Sequence, residues 1–244
     1  LEEFYGTVFI VSFHTPAVIF EQLCLAYALP RLGAKRLRIF LPWFSTGTME
    51  RVETLGQIAT AASLARMLSA VPIGPAGPAT VVIYDIHALQ EQFYFSDNVL
   101  VVLKTAVYQF KKTLELLRVD NPGEEIAIAF PDDGAQKRFK AKFKGFELIT
   151  CNKVRDGDER KVVVKEGDPA NRHCVIIDDL VQSGGTLLEC AKPLHAMGAT
   201  KVSCFVTHGV FPNEAWKRFV GNALIHKFWI TDSIPTTASV VKGQ

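Results

Sequence analysis

The five cysteines, Cys24, Cys151, Cys174, Cys190 and Cys204, include no CxxC pair and match no zinc-ligand spacing. That removes the usual sequence grounds for a redox or zinc centre. Cys174 and Cys204 stand inside apolar runs, where a thiol behaves as a small hydrophobe. A reducing compartment is the expectation, cytoplasmic with an organellar address left open. Long apolar runs are missing as well. None approaches the roughly 20 residues that a bilayer-crossing helix needs, so no membrane partner is expected. An excess of one charge is also lacking: 27 Lys and Arg against 25 Asp and Glu leave a formal net charge of +2. That balance is too mild to imply nucleic acid or an anionic membrane surface as the main partner. The chain opens at Leu1 with neither methionine nor signal pattern, as a piece of a longer protein would. Its 48% hydrophobic and 21% charged content is ordinary for a globular chain, enough for one large core or two modest ones.

What is present is a rhythm. Short β-branched runs, Thr7–Ser12, Leu37–Leu41, Thr80–Tyr84, Glu125–Phe130, Phe146–Thr150, His173–Ile177 and Lys201–Val206, alternate with helical stretches. The helical stretches are Ala17–Leu32, Glu53–Val71, Val99–Arg118, Gln136–Phe143 and Thr186–Met197. Several of the runs are apolar at nearly every position, as strands covered on both faces would be. The pattern predicts an α/β fold with mostly parallel sheets. Asn121-Pro-Gly123 breaks both helix and strand and is the best linker candidate. It divides the chain into an N-terminal domain, 1–118, and a C-terminal domain, 119–244.

The strongest chemical signal is His173-Cys-Val-Ile-Ile-Asp178-Asp179-Leu-Val-Gln-Ser183-Gly184-Gly185-Thr186. An apolar strand ends on two carboxylates, turns through Ser-Gly-Gly-Thr and enters a helix. Glycines there let backbone amides face an anion, and Thr186 adds a hydroxyl at the helix start, which together make a phosphate cradle. Two adjacent acids repel a phosphate; they suit ribose hydroxyls and a magnesium ion carried in with the ligand.

This segment resembles the phosphoribosyl-diphosphate (PRPP) loop of type I phosphoribosyltransferases. Its surroundings resemble a narrower family, the ribose-phosphate diphosphokinases or PRPP synthetases. Met197-Gly-Ala through Thr207-His208-Gly209, Asp85-Ile-His87-Ala-Leu-Gln90 through Phe95, and Phe130-Pro131-Asp132-Asp133-Gly134 each resemble one of their motifs, in the family's order. Phe-Pro-Asp-Asp-Gly-Ala-x-Lys-Arg, Cys-Asn-Lys-Val-Arg-x-Gly-Asp and Phe-Trp-Ile-Thr-Asp-Ser are similar to the phosphate-independent second class described in plants. The resemblance implies two phosphoribosyltransferase-like domains, each a mostly parallel sheet flanked by helices. It also implies Mg2+, ATP and ribose 5-phosphate as cofactor and substrates, and a homo-oligomer.

Roles follow residue by residue. Lys153 and Arg155 match the basic pair of the family's mobile catalytic loop; on residue type alone they are solvated loop charges. Residues two apart in an extended segment point the same way, so both can reach one transferring group. Asp178 and Asp179 are assigned to ribose hydroxyls and the metal, and Ser183, Gly184, Gly185 and Thr186 to the 5-phosphate. His87 is assigned to the metal that travels with the nucleotide, with Asp132 as its partner; without the resemblance it reads as evenly as a hydrogen-bonded structural residue. Asp133 is either a further ligand or a turn residue. His208 and Gly209 support the ribose-phosphate region, and His14, His173, His195 and His226 read as bland. Glu50 and Arg51 keep the chemistry of the first class's nucleotide stretch, but Thr48 and Met49 stand where that class has Arg and Gln. That departure puts tight adenine recognition and phosphate activation in doubt. Trp43 or Phe44 is a candidate for stacking on a base, against a core role. The Phe-x-Asp-Gly-Glu-type segment expected upstream is absent, so the ribose-phosphate site is expected complete and the ATP site incomplete. Two competing readings are a regulatory relative that binds synthetase subunits and a PRPP-using phosphoribosyltransferase. The first should lose the basic or the acidic pair, and the second should lack the His87 element.

Overall fold

A computed structural model describes residues 6–156 and 159–243, apart from the side chains of 155–160. The chain divides into two compact units, Leu1–Thr105 with Ser233–Pro235, and Ala106–Asp232 with Thr236–Gln244.

The first unit is built on four parallel strands, β1 (Thr7–Ile10), β2 (Leu37–Leu41), β3 (Ala79–Tyr84) and β4 (Val99–Lys104), in that spatial order. Helix α1 (Pro16–Arg31) starts at Thr15, whose Oγ1 accepts from the Val18 amide at 3.3 Å. Ile39, Leu41, Val81 and Ile83 of the sheet are fully buried against Leu23 and Ala26 of α1 and Ala61, Ala65 and Leu68 of α2 (Thr60–Ser69). Two expectations fail here. Val99–Lys104 is a strand, not the first turns of a helix, because its aliphatic run pairs with β3 from Ala79↔Val99 to Tyr84↔Lys104. The helix expected over 53–71 keeps only Thr60–Ser69, since Gly56 takes a φ of +91° and Leu55 lies wholly exposed.

The second unit holds six strands in the order β10-β9-β8-β5-β6-β7. These are β5 (Ile126–Phe130), β6 (Glu147–Asp156), β7 (Glu159–Glu166), β8 (His173–Val181), β9 (Lys201–Gly209) and β10 (Phe228–Ile230). All neighbours run parallel except β6 and β7, which form an antiparallel hairpin that the run Phe146–Thr150 does not announce. Helices α3 (Val107–Asp120) and α4 (Asp133–Phe139) cover one face, where Phe110, Leu114 and Phe139 bury Ile128, Val175 and Ile177. Helix α5 (Gly185–Ala196) covers the other, where Leu187, Ala191 and Leu194 bury Ala129, Ile176 and Val202. Burying each such aliphatic side chain stabilises by about 1.5–3 kcal/mol. Helix α3 therefore belongs to the second unit: its apolar stripe packs on β5 and β9, and Asn121-Pro-Gly123 is its turn into β5 rather than a linker. The units part at Thr105 and Ala106, upstream of the 118/119 division.

The strand order fixes where a ligand can sit. From β5 the chain crosses to β6 on one side through α4, and from β8 it crosses to β9 on the other side through α5, so the connections leaving β5 and β8 diverge to opposite faces. In an open parallel sheet that divergence leaves a crevice at the strands' carboxyl ends. Residues following β5 and the end of β8 rim it, and these include Asp132 and Asp178 to Thr186.

The opposite end of the sheet holds a buried polar chain. His173 is fully buried, its Nδ1 3.2 Å from Glu124 Oε2 and its Nε2 2.8 Å from Ser203 Oγ, and Lys201 Nζ lies 2.8 Å from Glu124 Oε1. His173 is thus far from bland. Burial pushes its imidazole below the usual range despite the neighbouring Glu124 carboxylate. A neutral ring donating from Nδ1 to Glu124 and accepting the Ser203 hydroxyl satisfies every partner. Burial acts to raise Glu124, but bonds from Lys201 and His173 outweigh it and hold the carboxyl low. His226 packs edge-on to His173 at 5.7 Å and is itself lowered, chiefly by burial. Folded-state values lowered in this way mean that the unfolded chain binds the extra protons. Stability is therefore full above about pH 6.5, the ordinary histidine value, and falls as pH drops below it. The urea midpoint is expected to decline between pH 7.5 and 5.5, and the decline to flatten in His173→Gln. An equally steep decline in that variant would assign the effect to other groups.

Candidate active site

Strand β8 does not stop at the acidic pair. It continues to Val181 because β9 is equally long, with Asp178 opposite Val206 and Val181 opposite Gly209. The acids are therefore held at fixed register on a central strand. Alternation sends Asp179 to the α4 face, where its Oδ2 lies 3.3 Å from Arg138 Nη1, both side chains largely buried. Asp178 Oδ1 accepts from the Asp179 amide at 2.9 Å. Burial, then the Asp179 charge and a side-chain hydrogen bond with it, and more weakly Asp132, raise the Asp178 carboxyl well above the carboxylate range. Three acids thus converge at the end of β5 and β8. Arg138 compensates one of them, and Asp178 is the acid whose ionisation the burial and the neighbouring charge oppose most.

After Val181 the chain forms the turn Gln182–Gly184 and enters α5. Gly184 is the N-cap with a φ of +79°, the left-handed region that glycine adopts without a Cβ clash. The first helical backbone bond runs from the Leu188 amide to Gly184 O. The amides of Gly185, Thr186 and Leu187 therefore have no intrahelical acceptor, although Ser183 Oγ lies 3.5 Å from the first of them. Ser183 is exposed and Thr186 half-exposed. These amides stand at the start of a twelve-residue helix, at the residues that the sequence offered as an anion cradle.

Across the crevice, Asp132 is the N-cap of α4, its Oδ1 accepting from the Ala135 amide at 2.9 Å. Asp133, the alternative turn residue, instead pairs with Lys165 Nζ of β7 at 3.0 Å. Beyond Cys151, the last buried residue of β6 among those described, the hairpin rises with Lys153 opposite Val162. The Lys153 side chain is exposed and has no carboxylate partner among the described residues. Arg155 continues the same strand opposite Arg160, two positions on; its side chain lies outside the described residues. His208 is buried on β9 opposite Leu180, and Gly209 leaves no room for a Cβ beside Ile230 and Phe211.

The remaining candidates belong to the first unit. His87 is exposed just after β3, following a buried Asp85 whose φ of +36° turns the chain sharply. The β-carbon of His87 and the buried Glu91 carboxylate both pack closely on Gly47. Glu50 is mostly buried, its carbonyl accepting from the Tyr94 hydroxyl at 2.6 Å, whereas Arg51 is exposed and pairs with Glu53 at 3.2 Å. Phe44 is a core residue, 5.9 Å from Phe95. His87 and Asp132, matched as metal partners, thus stand in different units.

Residues 99–220 match the family model of the phosphoribosyl transferase domain. The mitochondrial ribose-phosphate pyrophosphokinase 3 of Spinacia oleracea is 52% identical over 242 residues, 97% of this chain. Ribose-phosphate pyrophosphokinase 4 of Arabidopsis thaliana is 51% identical over 97% of this chain, which spans 71% of that protein. The chain belongs to the ribose-phosphate pyrophosphokinase family. It spans 59% of the length of the spinach relative. A crystal structure of phosphoribosylpyrophosphate synthetase from Mycobacterium smegmatis shares the fold, with a TM-score of 0.75, covering 98% of this chain and 76% of its own at 24% identity.

Arg138 and Lys165 were missed as partners of the acids. The Lys-Arg pair after Gly134 was visible in sequence, but nothing local says that Arg138 reaches a strand forty residues on. Arg218 Nη1 donates to Ser183 O at 2.7 Å, a contact equally invisible in sequence.

Proposed function

We propose that the chain carries the catalytic core of a ribose-phosphate diphosphokinase, which moves the diphosphate of ATP to the C1 hydroxyl of ribose 5-phosphate. The observation that carries this reading is the acid cluster beside the Ser183–Thr186 cradle at one sheet switch point, with the exposed Lys153 further along β6, the strand next to β5. A cradle with acids alone would serve any PRPP-binding protein. The basic hairpin is what a transfer reaction adds.

In this reading the 5-phosphate lies on the amides of the α5 first turn and the Thr186 hydroxyl. Asp178 and Asp179 take the ribose hydroxyls, with Asp179 held in place by Arg138. The C1 oxygen attacks the β-phosphorus of ATP, the bond from that phosphorus to the α–β bridging oxygen breaks, AMP leaves, and the hydroxyl proton passes to solvent. Lys153 and Arg155 hold the diphosphate oxygens as charge builds on them. Glu50, Arg51 and His87 are assigned to the nucleotide. Mg2+ fits the oxygen donors of Asp132 and Asp179. Among the described residues no group of three His, Cys, Asp or Glu forms a metal cage, and one or two carboxylates suit an ion that shares its ligands with phosphates. When bound, that ion neutralises phosphate charge. The protein is further proposed to act as a homo-oligomer in a reducing compartment, cytoplasmic or organellar. All five cysteines are free, and four are buried.

The test is incubation with ATP, ribose 5-phosphate and Mg2+, with AMP and PRPP both measured. Equimolar AMP and PRPP are expected, abolished by excess EDTA and indifferent to added inorganic phosphate. PRPP consumed in the presence of a nucleobase would mark a phosphoribosyltransferase. No turnover, with binding to an active synthetase subunit, would mark the regulatory relative.

A further inference from the structure

The chain that follows β9 is the most strained stretch of backbone among the described residues. Phe211, Asn213 and Glu214 all adopt positive φ, +43°, +53° and +57°, and none is glycine. For a bulky residue such as phenylalanine this is costly, on the order of 1–2 kcal/mol each. The strained stretch leads through the kinked segment Pro212–Arg218 to Phe219. Its contacts converge on one object. The Val210 and Phe211 amides both donate to Val181 O, at 3.0 and 3.4 Å. Arg218 Nη1 donates to Ser183 O at 2.7 Å. The Phe219 ring packs so closely on Gly184 that a Cβ there would lie 2.4 Å from Cζ. Phe219 is fixed in turn by Phe228 and Phe211, whose ring centroids lie 4.6 and 5.9 Å away.

We infer that Val210–Phe219 is a clamp that sets the phosphate cradle in its binding shape, and that Arg218 is its positioning residue for the sugar phosphate. This rests on the ribose 5-phosphate reading of the cradle. An unclamped Gly-Gly turn samples many conformations, and ordering it on binding would subtract from affinity. Two bonds that fix Val181 O at the root of the turn, one bond to Ser183 O within it and a ring on the αL glycine remove that freedom beforehand. Arg218 has a second use. It is exposed, and no carboxylate pairs with it among the described residues, so its charge stands uncompensated at the edge of the cradle, on Ser183 O. A dianionic phosphate gains from that cation as well as from the fixed loop, and ribose without its phosphate does not.

The experiment is calorimetric titration of the protein with ribose 5-phosphate and with ATP, for wild type, Arg218→Ala, Arg218→Lys and Phe219→Leu, each with its ligand-free melting temperature. Arg218→Ala is expected to weaken ribose 5-phosphate binding by about tenfold or more, with ATP binding and the melting temperature close to wild type. Arg218→Lys should recover part of the loss, more at low salt than at high. Phe219→Leu should weaken the sugar phosphate without altering the salt dependence. Arg218→Ala binding ribose 5-phosphate as wild type does would overturn the clamp while leaving the cradle assignment intact. A loss of ATP binding equal to the loss of ribose 5-phosphate binding would also overturn it, since that is a general structural effect. Wild type failing to bind ribose 5-phosphate at all would overturn the cradle assignment itself.

Discussion

Lys153→Ala is expected to lower the rate of AMP formation by about 10²–10³-fold while the KM for ribose 5-phosphate stays within a few-fold of wild type. The asymmetry follows from where the residue sits. The cradle and the acids are held on β8 and α5 by the two apolar cores, and Lys153 contributes to neither. It projects from β6 two residues past the buried Cys151, exposed and without a described carboxylate partner. An ammonium placed there is free to meet an arriving anion, and in the proposed transfer the charge that needs it builds as the diphosphate leaves AMP. Ground-state binding of the sugar should hardly notice its removal. Because the side chain is exposed, the melting temperature should also stay put, which separates a chemical loss from a folding loss. Single-turnover rates with saturating ATP give the clearest reading. A rate within a few-fold of wild type would show that the hairpin lysine is a solvated charge, and the transfer role would then fall on Arg155 or elsewhere.

Much of this was legible in the sequence because strand, turn and helix are written in contiguous residues. His173 to Thr186 states its own geometry: an apolar run buried on both faces, acids at its end, glycines where a left-handed turn is needed. Gly33 and Gly198, just past the ends of α1 and α5 at φ of +102° and +90°, follow the same local logic. What was not legible depends on pairing between distant segments. Val99–Lys104 has the composition of a buried helix turn as much as of a strand, and only the open edge of β3 decides between them. The hairpin partner Glu159–Glu166 is rich in charge, and its strand state comes from β6 beside it. The Asn121-Pro-Gly123 turn was read as a domain linker because a breaker marks a turn without saying which core lies on each side. Helix α3 buries Phe110 against Phe205 at 4.0 Å between ring centroids, and that contact, ninety-five residues apart, places the boundary upstream. The acid pair shows the same limit within the site. Both carboxylates were read in one role, but the pleat separates them: Arg138 anchors Asp179, while burial and the Asp179 charge push the Asp178 carboxyl up.

Gly184→Ala should damage the site more than its single added carbon suggests. Two costs combine. Alanine at a φ of +79° loses on the order of 1 kcal/mol against glycine whatever surrounds it. The new Cβ would also lie 2.4 and 2.5 Å from Phe219 Cζ and Cε2, far inside contact distance. A flexible side-chain tip could swing away, but Phe219 is wedged between Phe228 and Phe211 in the apolar cluster under α5. Either the ring leaves that cluster or the loop leaves its cradle shape. Both outcomes lower affinity for ribose 5-phosphate, by an expected tenfold or more, and the first also lowers the melting temperature by several degrees. The two costs can be separated with Phe219→Ala. If the clash dominates, the double variant Gly184→Ala with Phe219→Ala should bind ribose 5-phosphate better than Gly184→Ala alone, a positive coupling between residues in contact. If the backbone angle dominates, removing the ring should give nothing back. A Gly184→Ala protein with wild-type affinity and stability would mean that neither the left-handed turn nor the Phe219 contact governs the cradle, and the clamp would lose its strongest geometric support.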